Sequence, residues 1–137
     1  MIQKVYGANK KTMNYMFCDT GRKSLQALDL GDKFDTTGVT EMQNMFLWMG
    51  EKIQKLDLGD KFDTSSVTNM SGMFWGTGYS RMTSFNLGDK FNTSKVTNMK
   101  NMFYDFASNL PTLDLGDLFY TTSVTDMTNM FYNTGIN

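Results

Sequence analysis

The chain has 137 residues and a net charge of −1 with 20% charged residues, and it contains no histidine and one cysteine, Cys18. That length suits one modest domain, and the near-neutral balance gives no bulk field for nucleic acid or an anionic membrane. Without histidine the commonest general base and metal ligand are missing, and one cysteine makes no internal disulfide.

Residues 1–12 are polar and irregular, a lead-in or a degenerate half-repeat. The opening MIQKVYGANKKTMNYMF has no continuous apolar core, so it does not read as a secretory signal. Either the protein stays inside, or this chain is one piece of a longer one. No run of ~18 apolar residues occurs, so membrane insertion is not expected.

From residue 13 to 137 the chain repeats itself. Leu28–Phe46 reads LDLGDKFDTTGVTEMQNMF, and Leu56–Phe74, Phe85–Phe103 and Leu113–Phe131 repeat it with small substitutions. A partial copy survives as Met13–Phe17. The Met-Phe pairs end at Phe17, Phe46, Phe74, Phe103 and Phe131, so the spacing alternates between 29 and 28 residues. A period of that size predicts a repeat solenoid, in which each unit buries its apolar face against its neighbours.

Two apolar patterns alternate within each unit. The first is L-x-x-L-x-L, as in Ile53, Leu56 and Leu58, whose last positions follow strand period. Stacked, these segments predict one narrow sheet. Gly31, Gly59, Gly88 and Gly116, each followed by Asp, mark its turns. Phe34, Phe62, Phe91 and Phe119 complete the expected inward set. The second pattern is V-T-x-M-x-x-M-F, as in Val67, Met70, Met73 and Phe74. Its spacing fits one face of a short helix, and equally a brief strand followed by a helical turn. Pro111 lies just before the fourth L-x-L segment, where a missing N–H is tolerable.

This order, L-x-x-L-x-L and then F-D-T-S-x-V-T-x-M-x-x-M-F, resembles the BspA-like leucine-rich repeats, and more closely the bacterial surface-protein repeat of the DUF285 type. The match runs from about Met13 to Phe131. The resemblance implies a right-handed, leucine-rich-repeat-like solenoid with short parallel strands and short helical turns. It also implies a cell-surface or secreted bacterial protein, often linked to adhesion. It brings no catalytic motif, cofactor or metal ligand.

Several columns invite a chemical reading. Asp29, Asp57, Asn86 and Asp114, and the parallel set Asp32, Asp60, Asp89 and Asp117, line up one strand separation apart, about 4.8 Å. Stacked carboxylates suit a hard cation; Lys33, Lys61 and Lys90 beside them favour a solvated, lysine-paired face instead. Threonine columns at Thr36, Thr64, Thr93 and Thr121 and at Thr40, Thr68, Thr97 and Thr125 suit caps and ladder bonds. A flat ice-binding face is a poor fit, since Lys95 falls between them. The paired methionines, as in Met70 and Met73, read as core and not as a soft-metal site, having no Cys or His beside them. Cys18 lacks the histidine a thiol nucleophile needs.

The turns after each Met-Phe pair are where the units differ: Leu47–Lys55, Trp75–Ser84 and Tyr104–Thr112. Aromatic residues sit at Trp75, Tyr104 and Tyr132, with Leu47-Trp48 in the first full unit. Trp48, Trp75, Tyr79 and Tyr104 offer the most contact area, and Arg81 adds a charge-assisted contact. These five are the candidate binding residues for a protein or glycan ligand. The alternative is that the aromatics cover the core. The expected function is a non-enzymatic interaction module, set against a structural spacer within a longer surface stalk. A binding module breaks the repeat at some surface patch; a spacer looks alike from unit to unit. The last unit replaces Lys-Phe-Asp with Leu118-Phe119-Tyr120, and Ile136 follows. An uncapped end of this kind predicts contact with a further repeat or end-to-end self-association.

Overall fold

The computed structural model describes residues 11–135. Five short strands occur: β1 (Lys11–Thr12), β2 (Ala27–Asp29), β3 (Val39–Glu41), β4 (Lys55–Asp57) and β5 (Ser84–Asn86). All pairing is parallel. β2, β4 and β5 form one sheet, with Leu28 beside Leu56 and Leu56 beside Phe85. A second column, absent from the sequence-based expectation of a single sheet, joins β1 to β3 and continues as single bridges from Glu41 to Asn69, Asn98 and Asp126. Each of these pairings links positions one repeat apart, so consecutive units rest on one another.

The core lies between the two columns. Phe17, Phe46, Phe74, Phe103 and Phe131 form a ring column with centroid steps of 5.3, 5.3, 5.4 and 5.5 Å, each pair near-parallel. Rings stacked on strand-spaced backbones cannot lie directly face to face; these distances match the favoured offset arrangement. Phe34, Phe62 and Phe91 make a second column. Phe106, from the irregular turn of the third unit, wedges edge-on against Phe85 and Phe103 at 4.9 and 5.2 Å. The methionines Met42, Met45, Met70, Met73, Met99 and Met102 are fully buried, filling the gaps between rings.

Short helical turns were expected in V-T-x-M-x-x-M-F, and this is corrected: there is no helix among the described residues. The inward set is as the spacing implied, with Val67, Met70, Met73 and Phe74 all buried. The backbone reaches it differently. The N–H groups of Met42, Asn44, Phe46 and Trp48 donate to Asn69, Ser71, Met73 and Trp75 in the next unit at 3.0, 2.9, 2.9 and 2.7 Å. The N–H groups between them, of Met45, Leu47 and Met49, close back on the carbonyls three residues earlier. The third position of two of these turns has positive φ, +53° at both Asn44 and Trp48. Such residues suit a chain of tight turns and interrupt a helix. A spacing of three therefore comes from successive turns.

The L-x-L sheet stops before the fourth unit. In the column before it, Gln54 N–H donates to Gln26 C=O at 2.7 Å, and Thr83 N–H to Gln54 C=O at 2.9 Å. Pro111 is next in that column and has no N–H to give. Residues 113–115 form no strand, so the strand expected after Pro111 is missing. An open cleft of about 570 Å³ lies between the third and fourth units there, lined by Phe85, Leu87, Asp114 and Leu118 among others.

Candidate functional site

The edge that follows each Met-Phe pair is built on the ladder just described. Its first side chains are Cys18, Leu47, Trp75, Tyr104 and Tyr132, each one repeat from the next. The backbone bonds Gly76 N–H to Tyr104 C=O and Asp105 N–H to Tyr132 C=O, both 2.8 Å, fix the spacing between units. Trp75 and Tyr104 then lie with ring centroids 5.1 Å apart, and Tyr104 and Tyr132 at 4.8 Å. Trp75 and Tyr104 are half-buried, and Tyr132 is 52% exposed. The indole Nε1 of Trp75 is buried with no hydrogen-bond partner among the described residues. Partial burial of the Tyr104 ring, helped by the nearby charge of Asp105 and by Tyr132, pushes its phenol above the usual value.

Trp48 does not join this column. It sits one residue further along its turn, with positive φ, a conformation bulky residues rarely adopt. Its ring covers Gly76, where a Cβ would come within 2.3 Å of the indole, so only glycine fits beneath it. The Arg22 guanidinium lies 5.3 Å from its centroid, a cation–π arrangement. Arg22 is held in turn by Glu51, its Nε donating at 2.6 Å, and by Asp19 at 3.6 Å. The hydrogen bond to Glu51 is the chief cause of its raised pKa.

Tyr79 and Arg81 stand apart on the exposed loop after Gly78. Tyr79 is 45% exposed, and its carbonyl accepts both the backbone N–H and the hydroxyl of Ser108. No ring contact ties Tyr79 to Trp75 or Tyr104 among the described residues. Of the five residues proposed from sequence, the fold brings together Trp75 and Tyr104; Trp48 lies on the same edge under Arg22. The sequence-based set omitted Tyr132 and Arg22. Tyr132 was placed in this column from sequence and left out of the five, and Arg22 was findable from its 29-residue offset from Glu51.

The repeated polar columns have structural work within the stack. Asp29, Asp57, Asn86 and Asp114 each accept the N–H of the glycine two residues on, at 2.8, 3.0, 2.9 and 2.8 Å. These are side-chain turns that position the positive-φ glycines. Asp32, Asp60, Asp89 and Asp117 are exposed, and no ion pair to Lys33, Lys61 or Lys90 occurs among the described residues. Thr36, Thr64 and Thr93 are fully buried. The Thr64 hydroxyl donates to Asn92 C=O at 2.8 Å and accepts Asn92 N–H at 2.7 Å, so one side chain bridges two units. Thr68, Thr97 and Thr125 donate to the preceding threonine's carbonyl in their own column. The Cys18 thiol is pushed up by burial, and further by the charge of Asp19.

The family model described as "Mycoplasma protein of unknown function, DUF285" matches residues 11–136. No curated protein and no solved structure matches the chain. The match spans nearly the whole stack, including every unit whose ladder and phenylalanine column are described above, and the chain therefore belongs to the DUF285 family.

Proposed function

We propose that this chain is a non-enzymatic interaction module built as a right-handed solenoid, carried on the surface of a bacterial cell or secreted from it. The BspA-like repeat pattern supports the surface setting and the adhesive role. One observation carries the binding reading: the Trp75–Tyr104–Tyr132 column breaks the unit-to-unit uniformity. The first units carry Cys18 and Leu47 at the same column position. A stalk that only spaced other domains apart would have no use for that change.

The column favours a protein ligand over a glycan. The central ring, Tyr104, lies between Trp75 and Tyr132, tilted by 52° from the one and 23° from the other, so it has no free face of the kind on which a sugar stacks. Ring edges and the Tyr hydroxyls remain for a partner, and Tyr and Trp are among the residue types that anchor protein interfaces. The test is a pull-down with the folded chain against host extracellular proteins and glycans, repeated with Trp75→Ala/Tyr104→Ala. Circular dichroism establishes that the double variant is folded. Loss of the captured partner is expected. Unchanged capture would move the site to the L-x-L sheet face, with its Asp columns and Lys33, Lys61 and Lys90.

A further inference from the structure

Within the M-x-x-M-F turns, alternate backbone N–H groups point one way. In every unit the N–H groups that leave the turn donate to the carbonyls of the following unit. Met99, Asn101, Phe103 and Asp105 donate to Asp126, Thr128, Met130 and Tyr132 at 2.9, 2.9, 2.8 and 2.8 Å. The last unit repeats the geometry, and among the described residues no further unit is stacked on it. The N–H groups of Met127, Asn129, Phe131 and Asn133 find no acceptor among the described residues. Beside them Phe131 is 46% and Met127 47% exposed, although their counterparts Phe103 and Met99 are fully buried.

The first unit shows the complement. Gln43, Met45 and Leu47 accept from Tyr15, Phe17 and Asp19. The positions one repeat earlier, Asn14, Met16 and Cys18, have carbonyls that accept from nothing among the described residues. Phe17 stacks on Phe46 on the side facing the stack. One end thus offers a row of donors beside an open phenylalanine, and the other a row of acceptors beside another phenylalanine, at the same spacing.

We propose that a second copy of this chain docks head to tail. The donors Asn129, Phe131 and Asn133 meet the carbonyls of Asn14, Met16 and Cys18 in that order, and Phe131 stacks on the neighbour's Phe17. Unpaired parallel edges are templates for such addition. Two C-terminal ends cannot pair with each other along this row, because donors would face donors. The contact is therefore heterologous and does not close into a dimer; it grows as an open chain. The inference is independent of the proposed ligand.

Register makes the test specific. Position 132 and position 18 fall in one column, so in the docked pair their Cα atoms are neighbours at about one strand separation, ~4.8 Å. That lies within disulfide reach, roughly 4.4–6.8 Å between Cα atoms. In the full chain carrying Tyr132→Cys, mild oxidation should give a ladder of linked species beyond the dimer. Mass spectrometry of the digest should join residue 18 of one copy to residue 132 of the next. Adding Cys18→Ser should collapse the ladder to dimers at most. In sedimentation, the unmodified chain should grow in mass with concentration, and Met127→Lys/Phe131→Lys should remain monomeric. The proposal is overturned by linkage that stops at dimers, by digests joining 18 to 18 and 132 to 132 only, or by an unmodified chain that stays monomeric at every concentration. If the lysine variant does not fold, the cross-link pattern alone decides.

Discussion

The third and fourth units carry almost the same pattern and are not in the same state. Phe103 is fully buried, and Phe131, at the same place in the repeat, is about half exposed. Thr93 is buried and bridges to Tyr120, its hydroxyl donating at 2.7 Å; Thr121 is exposed. β5 lies in the sheet, and residues 113–115 do not. A unit in this protein is therefore completed by its successor. Its own residues set where the rings and hydroxyls go. Whether those groups are dry and bonded depends on the chain stacked above them. Stability in such a stack is a sum of unit terms and neighbour terms, and the two units separate them.

The largest expected contrast follows from the phenylalanine column. Phe74→Ala removes a ring packed between Phe46 and Phe103 and should cost about 3–5 kcal/mol. Phe131→Ala removes a half-exposed ring that stacks, among the described residues, on Phe103 alone, and should cost about 1–2 kcal/mol. Urea unfolding of both variants checks this. Equal losses would mean that the end unit is as well packed as the middle ones, and would sink the comparison.

The threonine column gives the next contrast. Thr64→Val strands both the N–H and the C=O of Asn92, which the hydroxyl serves at once. Buried groups left unbonded cost about 1–3 kcal/mol. Thr121→Val strands nothing among the described residues and should fall within about 0.5 kcal/mol of the parent. Thermal unfolding of the pair measures the difference.

Much of this was legible in the sequence. Period, inward residues and the phenylalanine columns follow from spacing alone, because stacked units must repeat what they bury. The turn edge was misread for a physical reason: a face recurring every three residues is produced equally by a helix and by consecutive tight turns. A signal was available. Asn44, Gly72, Asn101 and Asn129 stand at the third position of M-x-N-M or M-x-G-M, and all four take positive φ. Asn and Gly are the residues that adopt it readily. The second pairing column was left open for the same reason, since V-T-x fits the start of a helix and a brief strand equally, and the structure takes the strand at Val39–Glu41. Trp48 departs from the column because Gly76 above it leaves room for an indole, which only the packing reveals.

Pro111 supplies a smaller test of where the fourth unit diverges. Pro111→Ala returns an N–H to the column in which Gln54 and Thr83 donate. The restored bond is worth about 0.5–1.5 kcal/mol, offset by about 0.4–1 kcal/mol of chain entropy that proline had removed from the unfolded state. Net stability should hardly move. Hydrogen exchange is the better probe: the amides of Leu113 and Leu115 should gain protection as the sheet extends across the cleft. Unchanged exchange would assign the gap to the Phe106 wedge instead.

The smallest effect concerns Asp126. Its carboxylate accepts the Thr128 N–H at 2.9 Å, and this bond, with the Thr128 hydroxyl and the charge of Lys100 adding to it, holds its pKa below the ordinary 3.8. A folded pKa below the unfolded one gives stability that is present above the unfolded pKa and is lost as pH falls through the folded one. Asn69 and Asn98 occupy the same column and accept Ser71 and Lys100 N–H at 3.0 and 3.0 Å without any charge. Asp126→Asn should therefore keep the turn and remove the pH dependence. At neutral pH the parent should melt slightly higher than the variant. That margin should shrink as the solution is acidified below the usual carboxylate range, about pH 4, and should also shrink in high salt, because the site is open to solvent. A margin that stays constant from neutral to acid pH would show that the Lys100 attraction and the charge-assisted bond contribute nothing here, and that the two middle units and the last one hold this turn in the same way.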